Sequence, residues 1–571
     1  MSERKIGVYI CYCGGNISDY VDCEKVREAI RDEPGVSIAK TTMFACSDAA
    51  QEEIIDDIKS SSLDAIVVAS CSPTLHLHTF RGVAERAGLN PYLYTQVNLR
   101  EQCSWAHTDV PENATEKAIK LTKAGIAKAR YTFPLDKLRI ETIPRALVIG
   151  GGISGLRAAI ALSDMNISVY IAEQKDQPGG WVSQWGEMYP QEKSGSEIIS
   201  EMLQEIGKRE NIVIYTGARL MEKSGSVGDF QVKLKVGDEE ISLDVGAVIT
   251  ATGFSPYTPD DGEFCYGTDG VLTLTEFREL VDKSDGELRY NGRPVNDITY
   301  IYCVGSRQMP GENANTYCSR YCCNAATHLS SLAVRKSPDI NQFHLYRDMR
   351  TYGKFELLYE ESRENGSVFV KFDKDDAPVV EKNGDRFITK VKDILTFGEE
   401  LEIESDIVVL VNGMEPSPNA ELIDILKLPL GLDRFFMEIH PKLRPVETII
   451  DGIFIAGAAQ GPRNSAESVA SAMAAAAKCA ALLKKGYVEL EPLIAEINAE
   501  RCEWCGTCLE ACPYEAIEKL ESGGKEIAGI RKSLCKGCGA CVPVCPKDAI
   551  DIKGYTDQQV RAIIDAMGSA V

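Results

Sequence analysis

Basic charge is what this sequence is shortest of: 62 Lys and Arg stand against 85 Asp and Glu, a formal net charge of −23 over 571 residues. That balance works against a nucleic-acid or anionic-membrane surface. A basic-then-apolar leader is missing from the N-terminus. The one strongly apolar stretch, Val469 to Leu483, is Ala-rich, interrupted by Lys478, and expected to be too short to span a bilayer. The expectation is a soluble, cytoplasmic protein of about three or four domains. Histidine is scarce, with 6 residues, whereas cysteine is abundant, with 20. A core of this size needs no disulfide staples, and a reducing cytosol would not keep them. Thiolate ligation of metal is the favoured use.

The fold class expected is α/β with a small α+β appendage. Residues 1–140 read as an α/β unit, with strand-like runs at Ile6–Ile10, Ala65–Ala69 and Tyr92–Val97 between helical stretches. Residues 141–490 form a second α/β region that opens on the strand Arg145–Ile149 and carries an insertion over 256–404. Residues 491–553 bring two bursts of cysteine, and 554–571 look like a helix able to dock on a neighbour.

Those two bursts are an internal repeat. Cys502, Cys505, Cys508 and Cys512 precede Pro513, and the pattern returns 33 residues later as Cys535, Cys538, Cys541 and Cys545 before Pro546. C-x2-C-x2-C-x3-C-P is the run of two-cluster ferredoxins, in which the fourth cysteine ligates the other cluster. One [4Fe–4S] cluster would take Cys502, Cys505, Cys508 and Cys545, and the other Cys535, Cys538, Cys541 and Cys512. A zinc ribbon is disfavoured, because zinc needs four ligands in all and not two tandem sets.

At 145–155 a strand runs into G-x-G-x-x-G, formed by Gly150, Gly152 and Gly155, and then into a helix. Such glycines let the backbone approach a pyrophosphate held at the helix N-terminus, where Ile153 and Ser154 lie. A second strand ends at Glu173 and Gln174, where an acidic side chain is expected on a ribose hydroxyl. Ala251-Thr252-Gly253 resembles the short strand-turn of two-dinucleotide flavoproteins. Gly457 and Ala458 resemble their late flavin motif, although an Asp usually stands where Ala458 does. FAD is favoured over NAD on these grounds.

A second nucleotide site is lacking. The strand for it, Ile298–Cys303, is present, but no glycine loop follows, and Cys318, Cys322 and Cys323 occupy the next segment. With Cys303 they make a further set of four ligands, the alternative being a buried pair with a free thiol. No redox C-x2-C lies in this region, so dithiol exchange is not expected. In the first 140 residues the cysteines are dispersed. Strand ends converge at one edge of a parallel sheet, so Cys13, Cys46, Cys71 and Cys103 are chosen as a set, with Cys11 read as core. By spacing alone, buried structural cysteines are as good a reading. His76, His78 and His107 are possible ligands or donors.

Taken together, Ile10-Cys-Tyr-Cys-Gly-Gly-Asn-Ile17, Ala69-Ser-Cys-Ser-Pro-Thr-Leu-His76, Arg100-Glu-Gln-Cys-Ser-Trp105, Val148-Ile-Gly-Gly-Gly-Ile-Ser-Gly155, Cys303-Val-Gly-Ser-Arg307, Tyr317-Cys-Ser-Arg-Tyr-Cys-Cys323 and the twin ferredoxin run closely resemble the HdrA family, the FAD and iron–sulfur subunits of the soluble heterodisulfide reductases of methanogens and related anaerobes. The resemblance spans essentially the whole chain. It implies a thioredoxin-reductase-like two-dinucleotide FAD domain between an N-terminal α/β cluster domain and a two-cluster ferredoxin domain, with one FAD and four [4Fe–4S] clusters. It further implies an electron-bifurcating subunit of a larger complex, associated as a homodimer. Electrons would come from a hydrogenase or formate dehydrogenase module. They would go to the heterodisulfide of coenzymes M and B on other reductase subunits and, at low potential, to ferredoxin. Lys354, in Arg350-Thr-Tyr-Gly-Lys354, looks like a family lysine beside the flavin N5/O4 edge. The ferredoxin insertion that some members carry is missing between 174 and 300. The alternative functions are an FAD/iron–sulfur relay or confurcating subunit of another anaerobic sulfur or sulfate complex, and a non-catalytic electron-transfer scaffold.

Overall fold

The computed structural model describes residues 4–568. The chain divides into two compact units, one made of residues up to Arg139 together with Glu489 onward, the other running from Ile140 to Val488.

In the first unit, β1 (Ile6–Cys11), β2 (Val36–Thr42), β3 (Ala65–Ser70) and β4 (Tyr94–Asn98) form a parallel sheet in the order β2-β1-β3-β4. Every residue of β1 and β3 is buried. Both strands are continuous apolar runs because helices cover both faces of a parallel sheet. The helices are α1 (Cys23–Ile30), α2 (Asp48–Ser61), α3 (Pro73–Ala87) and α4 (Pro111–Ala129). Asp22, Ser47 and Ser72 cap the first three by accepting N–H bonds from the first turn.

The second unit holds two similar halves. In one, the parallel sheet runs in the order Ile212–Tyr215, β6 (Ser168–Ala172), β5 (Arg145–Ile149), β7 (Ala247–Thr250), Ile453–Ile455. A three-stranded antiparallel meander over 218–245 accompanies it. Helix α5 (Ile153–Asp164) follows β5. In the other half, the order is Val271–Thr273, Ile407–Asn412, β8 (Asp297–Val304), Asn341–Tyr346, Val368–Lys371, again parallel. It too has an antiparallel meander, over 379–405. Helix α6 (Cys322–Lys336) follows β8. The chain enters and leaves this half through a two-stranded ribbon, Phe254–Pro256 against Met414–Pro416. The insertion expected to close at 404 therefore closes at the ribbon, because the strand Ile407–Asn412 completes the inserted sheet.

The apolar stretch near residue 470 becomes α7 (Ser465–Lys484), 20 residues long, and by length and composition it could cross a membrane. The expectation that it is too short is corrected. Its Ala472, Ala475, Ala476, Cys479, Ala480 and Leu483 are buried in the core of the first half beside α5, which small residues permit by letting the two helices approach closely.

The remainder of the first unit is a small β domain. Ala495–Ile497 pairs with Ile550–Ile552, and the hairpin Ile517–Ser522/Lys525–Ile530 turns at Gly523-Gly524, both with positive φ. The tail helix α8 (Asp557–Gly568) lies against α4, where the fully buried Gln559 donates from Nε2 to the Tyr131 carbonyl at 2.9 Å.

Candidate flavin and iron–sulfur sites

The glycine turn after β5 is shaped by its neighbours. Gly150 has φ +105, and a Cβ there would stand 2.4 Å from the Ala251 carbonyl oxygen. A Cβ on Gly155 would stand 1.8 Å from the Gly150 carbonyl oxygen. Gly152 begins α5 with no side-chain cap on the helix's first N–H groups, which leaves them for an anion. Glu173, at the end of β6, is buried. Its carboxylate accepts the Gly151 N–H at 2.6 Å and the Lys175 N–H at 2.8 Å. In this structure it buttresses the turn. Gly457 has φ +67, and a Cβ there would meet the Ser154 hydroxyl at 2.1 Å.

These residues border one cleft of about 1580 Å3. Gly150, Gly152, Ile153, Ser154, Glu173, Gln174, Ala251, Thr252, Gly253 and Ala458 all line it, as does Lys354. Gly155 and Gly457 lie behind the lining as packing glycines. The segment carrying Lys354 is tied down at two points: the Lys354 carbonyl accepts the Tyr189 hydroxyl at 3.0 Å, and the Tyr352 hydroxyl accepts Asn464 Nδ2 at 3.2 Å. Asn464 caps α7 in a capping box with Glu467, so Tyr352 anchors the lysine's segment to that helix's N-terminus. The cleft is large enough for a dinucleotide, and its cradle admits backbone-to-phosphate approach that any side chain would block.

Cys303, Cys318, Cys322 and Cys323 converge in the second half. Burial pushes the Cys303 thiol up to about 11, with the charges of Cys323 and Cys318 adding and those of Arg307 and Arg347 opposing. Cys322 donates to Cys323, which raises Cys322 and lowers Cys323. Cys303, next to last in β8, sits at a register shift between Tyr302 and Val304 with φ +65, which turns its side chain out of the strand alternation. The Cys318 sulfur accepts the Arg320 N–H at 3.3 Å. The arginines here were not singled out from the sequence, although Arg307 closes the quoted Cys303-Val-Gly-Ser-Arg307. Arg307 Nη2 donates to Asp348 at 2.7 Å, which accounts for the acid that follows this sheet's next strand.

In the ferredoxin region, Cys502, Cys505, Cys508 and Cys545 line one small cavity, and Cys512, Cys535, Cys538 and Cys541 line another. The fourth cysteine of each run thus stands with the first three of the other. Backbone N–H groups point at the sulfurs: Ala528 at Cys502 (3.3 Å), Ala516 at Cys512 (3.4 Å), Ala495 at Cys535 (3.4 Å) and Ala549 at Cys545 (3.3 Å). Such donors favour thiolate ligands and raise a cluster's potential.

At the carboxyl edge of the N-terminal sheet the grouping differs from the chosen set. Burial raises the Cys71 thiol to about 11, the Arg100 cation opposes, and the Cys13 and Cys11 charges add. Cys11 in turn feels Cys13 and Cys46, and its sulfur accepts N–H bonds from Cys13 and Ala45, both 3.3 Å. Cys103 is fully buried in a turn after β4, where Lys117 is the charge that faces it. Cys11, Cys13, Cys46 and Cys71 thus feel one another's charge at this edge, while Cys103 faces Lys117. The reason is the five-residue turn Arg100–Ser104, which directs Cys103 into the core while Arg100 Nη1 reaches the Cys13 sulfur at 3.7 Å. His76 stacks edge-on to Phe80, and His107 Nε2 lies 3.3 Å from Lys117 Nζ, both structural placements. Among the described residues no group of three or more His, Cys, Asp or Glu is close enough to hold a single metal ion. Cubane ligands each take their own iron and stand further apart.

Residues 495–552 match the family described as 4Fe-4S dicluster domain, and residues 64–273 match pyridine nucleotide-disulphide oxidoreductase. The second match begins within the N-terminal sheet, ahead of the dinucleotide fold that opens at Arg145, and takes in the glycine turn. Fold, cleft and cysteine pattern define a flavin- and iron–sulfur-dependent oxidoreductase. An A-type CoB–CoM heterodisulfide reductase iron–sulfur subunit of Methanopyrus kandleri is 36% identical over 92% of this chain and 92% of its own. The A-type subunit of the H2:CoB–CoM heterodisulfide, ferredoxin reductase of Methanothermobacter marburgensis is 35% identical over the same shares. The H2/formate-dependent counterpart of Methanococcus maripaludis is 32% identical over 100% of this chain and 99% of its own. Thioredoxin reductase of T. acidophilum aligns with 60% of this chain and 99% of its own at 16% identity and a TM-score of 0.42. The chain belongs to the HdrA family of heterodisulfide reductase subunits.

Proposed function

We propose that this chain is the electron-bifurcating subunit of a heterodisulfide reductase complex, holding one FAD and four [4Fe–4S] clusters. One observation carries the reading. The cleft that the glycine turn opens is also lined by Asn324 and Ala325, on the first turn of α6, the helix that begins with Cys322 and Cys323. A two-electron carrier and a one-electron carrier would thus meet where a second nucleotide would otherwise bind.

When bound, the flavin supplies interchange between electron pairs and single electrons, and the clusters supply one-electron conduction. The chain's own residues do the rest. The free N–H groups at the start of α5 bind the pyrophosphate, and the N-terminus of α7 and the Lys354 cation favour negative charge on the ring. Arg307 and Arg347 favour added negative charge near Cys303. The two ferredoxin sets and the N-terminal set lead electrons to partner proteins. For this chain those are other reductase subunits carrying the heterodisulfide of coenzymes M and B, a hydrogenase or formate dehydrogenase donor, and a ferredoxin acceptor. The full-length match to relatives so named supports this.

The test is anaerobic purification with flavin and iron counted per chain, followed by reduction with each candidate donor. About one flavin and sixteen irons, with bleaching by hydrogenase or formate dehydrogenase, are expected. About eight irons would leave only the ferredoxin pair. Strictly paired delivery of electrons to a single acceptor would remove bifurcation and leave a relay.

A further inference from the structure

Arg100 comes two residues after β4 and opens the five-residue turn Arg100–Ser104. Its carbonyl accepts the Trp105 N–H at 2.9 Å and the Ser104 hydroxyl at 3.0 Å, which pins its backbone. Two side chains then hold the guanidinium. Glu101 accepts from Nε at 3.2 Å and from Nη2 at 2.8 Å, and the Trp105 ring centre lies 4.7 Å from Cζ. Trp105 is 52% exposed, so burial returns little for it, and its face serves the guanidinium. These contacts leave Nη1, which donates to the Cys13 sulfur at 3.7 Å. The Arg100 side chain is only 15% exposed, so solvent screens its charge weakly.

The sheet edge that Arg100 faces suits thiolates. The Cys11 sulfur accepts N–H bonds from Cys13 and Ala45 at 3.3 Å, the length found at the ferredoxin sulfurs of Cys502 and Cys545. Cys71 and His76 also feel the Arg100 charge. Cys13 stands here whichever of Cys11 and Cys103 completes the set. One difference separates this edge from the ferredoxin region. The donors there from Ala495, Ala516, Ala528 and Ala549 are neutral N–H groups, and the donor to Cys13 is a cation. A held positive charge beside a ligand sulfur favours the reduced, more negative state of a cluster.

We infer that Arg100, oriented by Glu101 and Trp105, raises the reduction potential of the iron–sulfur centre ligated by Cys13. This rests on the proposed four-cluster reading and assigns one residue's role within it.

The test uses the full chain, purified anaerobically, as wild type, Cys13→Ala, Arg100→Gln and Arg100→Lys. Iron per chain is counted, and each preparation is titrated by potential under electron paramagnetic resonance. The signal that Cys13→Ala removes identifies the N-terminal centre. If Cys13→Ala removes neither signal nor iron, the four-cluster reading itself fails. With the centre present, Arg100→Gln should shift its one-electron equilibrium toward the oxidised form at least tenfold, about 59 mV lower. Arg100→Lys keeps the charge and should shift it by no more than half as much. A smaller shift in Arg100→Gln, or a larger one in Arg100→Lys, overturns the inference. Where Arg100→Gln loses the centre's iron, its retention by Arg100→Lys supports the role of the charge, and loss from both overturns it.

Discussion

Replacing Gly155 by alanine puts the dinucleotide cradle to a quantitative test. The added Cβ would stand 1.8 Å from the Gly150 carbonyl oxygen, with Val148 Cγ1 at 3.2 Å on the other side. Contacts of that kind are not found below 3.0 Å, so α5 must retreat from β5 by roughly 1 Å. Overpacking of this sort costs about 1–3 kcal/mol, and here the obstacle is backbone, which cannot rotate away. The same retreat withdraws the helix N–H groups from the phosphates. Losing one charge-assisted hydrogen bond of about 1.5–3 kcal/mol weakens FAD binding by roughly 10- to 100-fold. Gly152 supplies the internal control: a Cβ there meets only the Gly180 Cα, at 3.9 Å, with no left-handed φ. Gly152→Ala should leave stability nearly unchanged and weaken FAD alone, because only a bound pyrophosphate would feel the methyl group. Flavin binding followed by fluorescence titration, beside urea unfolding of each apoprotein, separates the two effects. Wild-type FAD affinity in Gly155→Ala, or equal stability losses in both variants, would refute the cradle argument.

Crossed ligation predicts that Cys508→Ser and Cys545→Ser each remove the same cluster, about four irons, and that the double variant loses no more; additive loss in iron analysis would contradict it. His344 is fully buried between Tyr300 and Phe369, and burial lowers it to about 3. The unfolded chain then binds the proton more readily, so the stability it contributes is complete above about pH 6.5 and is lost as pH falls toward 3. By pH 5 the loss is about 2 kcal/mol, to which His328, lowered to about 4 by burial, adds in the same direction. Urea midpoints at pH 7 and pH 5 should differ accordingly, and less so in His344→Gln. Gln559→Leu removes the bond to the Tyr131 carbonyl at a cost of about 1–3 kcal/mol. Faster amide exchange confined to 557–568 is the expected sign, and unchanged exchange would show that the tail docks by other contacts.

Much of the chemistry was legible because it is local. The ferredoxin runs keep three ligands within seven residues of one another, so spacing alone specifies a cluster-binding loop. The glycine turn is equally short-range, since Gly150 and Gly155 shape each other across five residues. What escaped is whatever depends on residues far apart in sequence. Glu173, expected on a ribose hydroxyl, lines the cleft, and the fold also brings the Gly151 N–H to its carboxylate at 2.6 Å. Cys11 is core, as its place at the end of a buried strand implied, but that its sulfur also receives two N–H groups at the sheet edge was not legible.

The sequence by itself determined that thiolates and a dinucleotide cleft occur in one acidic chain, in which order, and that cysteines, not a glycine loop, follow the strand Ile298–Cys303. Tertiary structure alone decided which dispersed cysteines meet, because convergence depends on the strand order β2-β1-β3-β4 and on one five-residue turn. It also decided that the tail helix rests on α4, and that Asn324 stands buried and unpaired at the cleft wall. Short-range spacing is fixed by covalent geometry and is therefore written in the sequence. Long-range juxtaposition is fixed by the packing of a whole sheet and becomes visible only once the chain has folded.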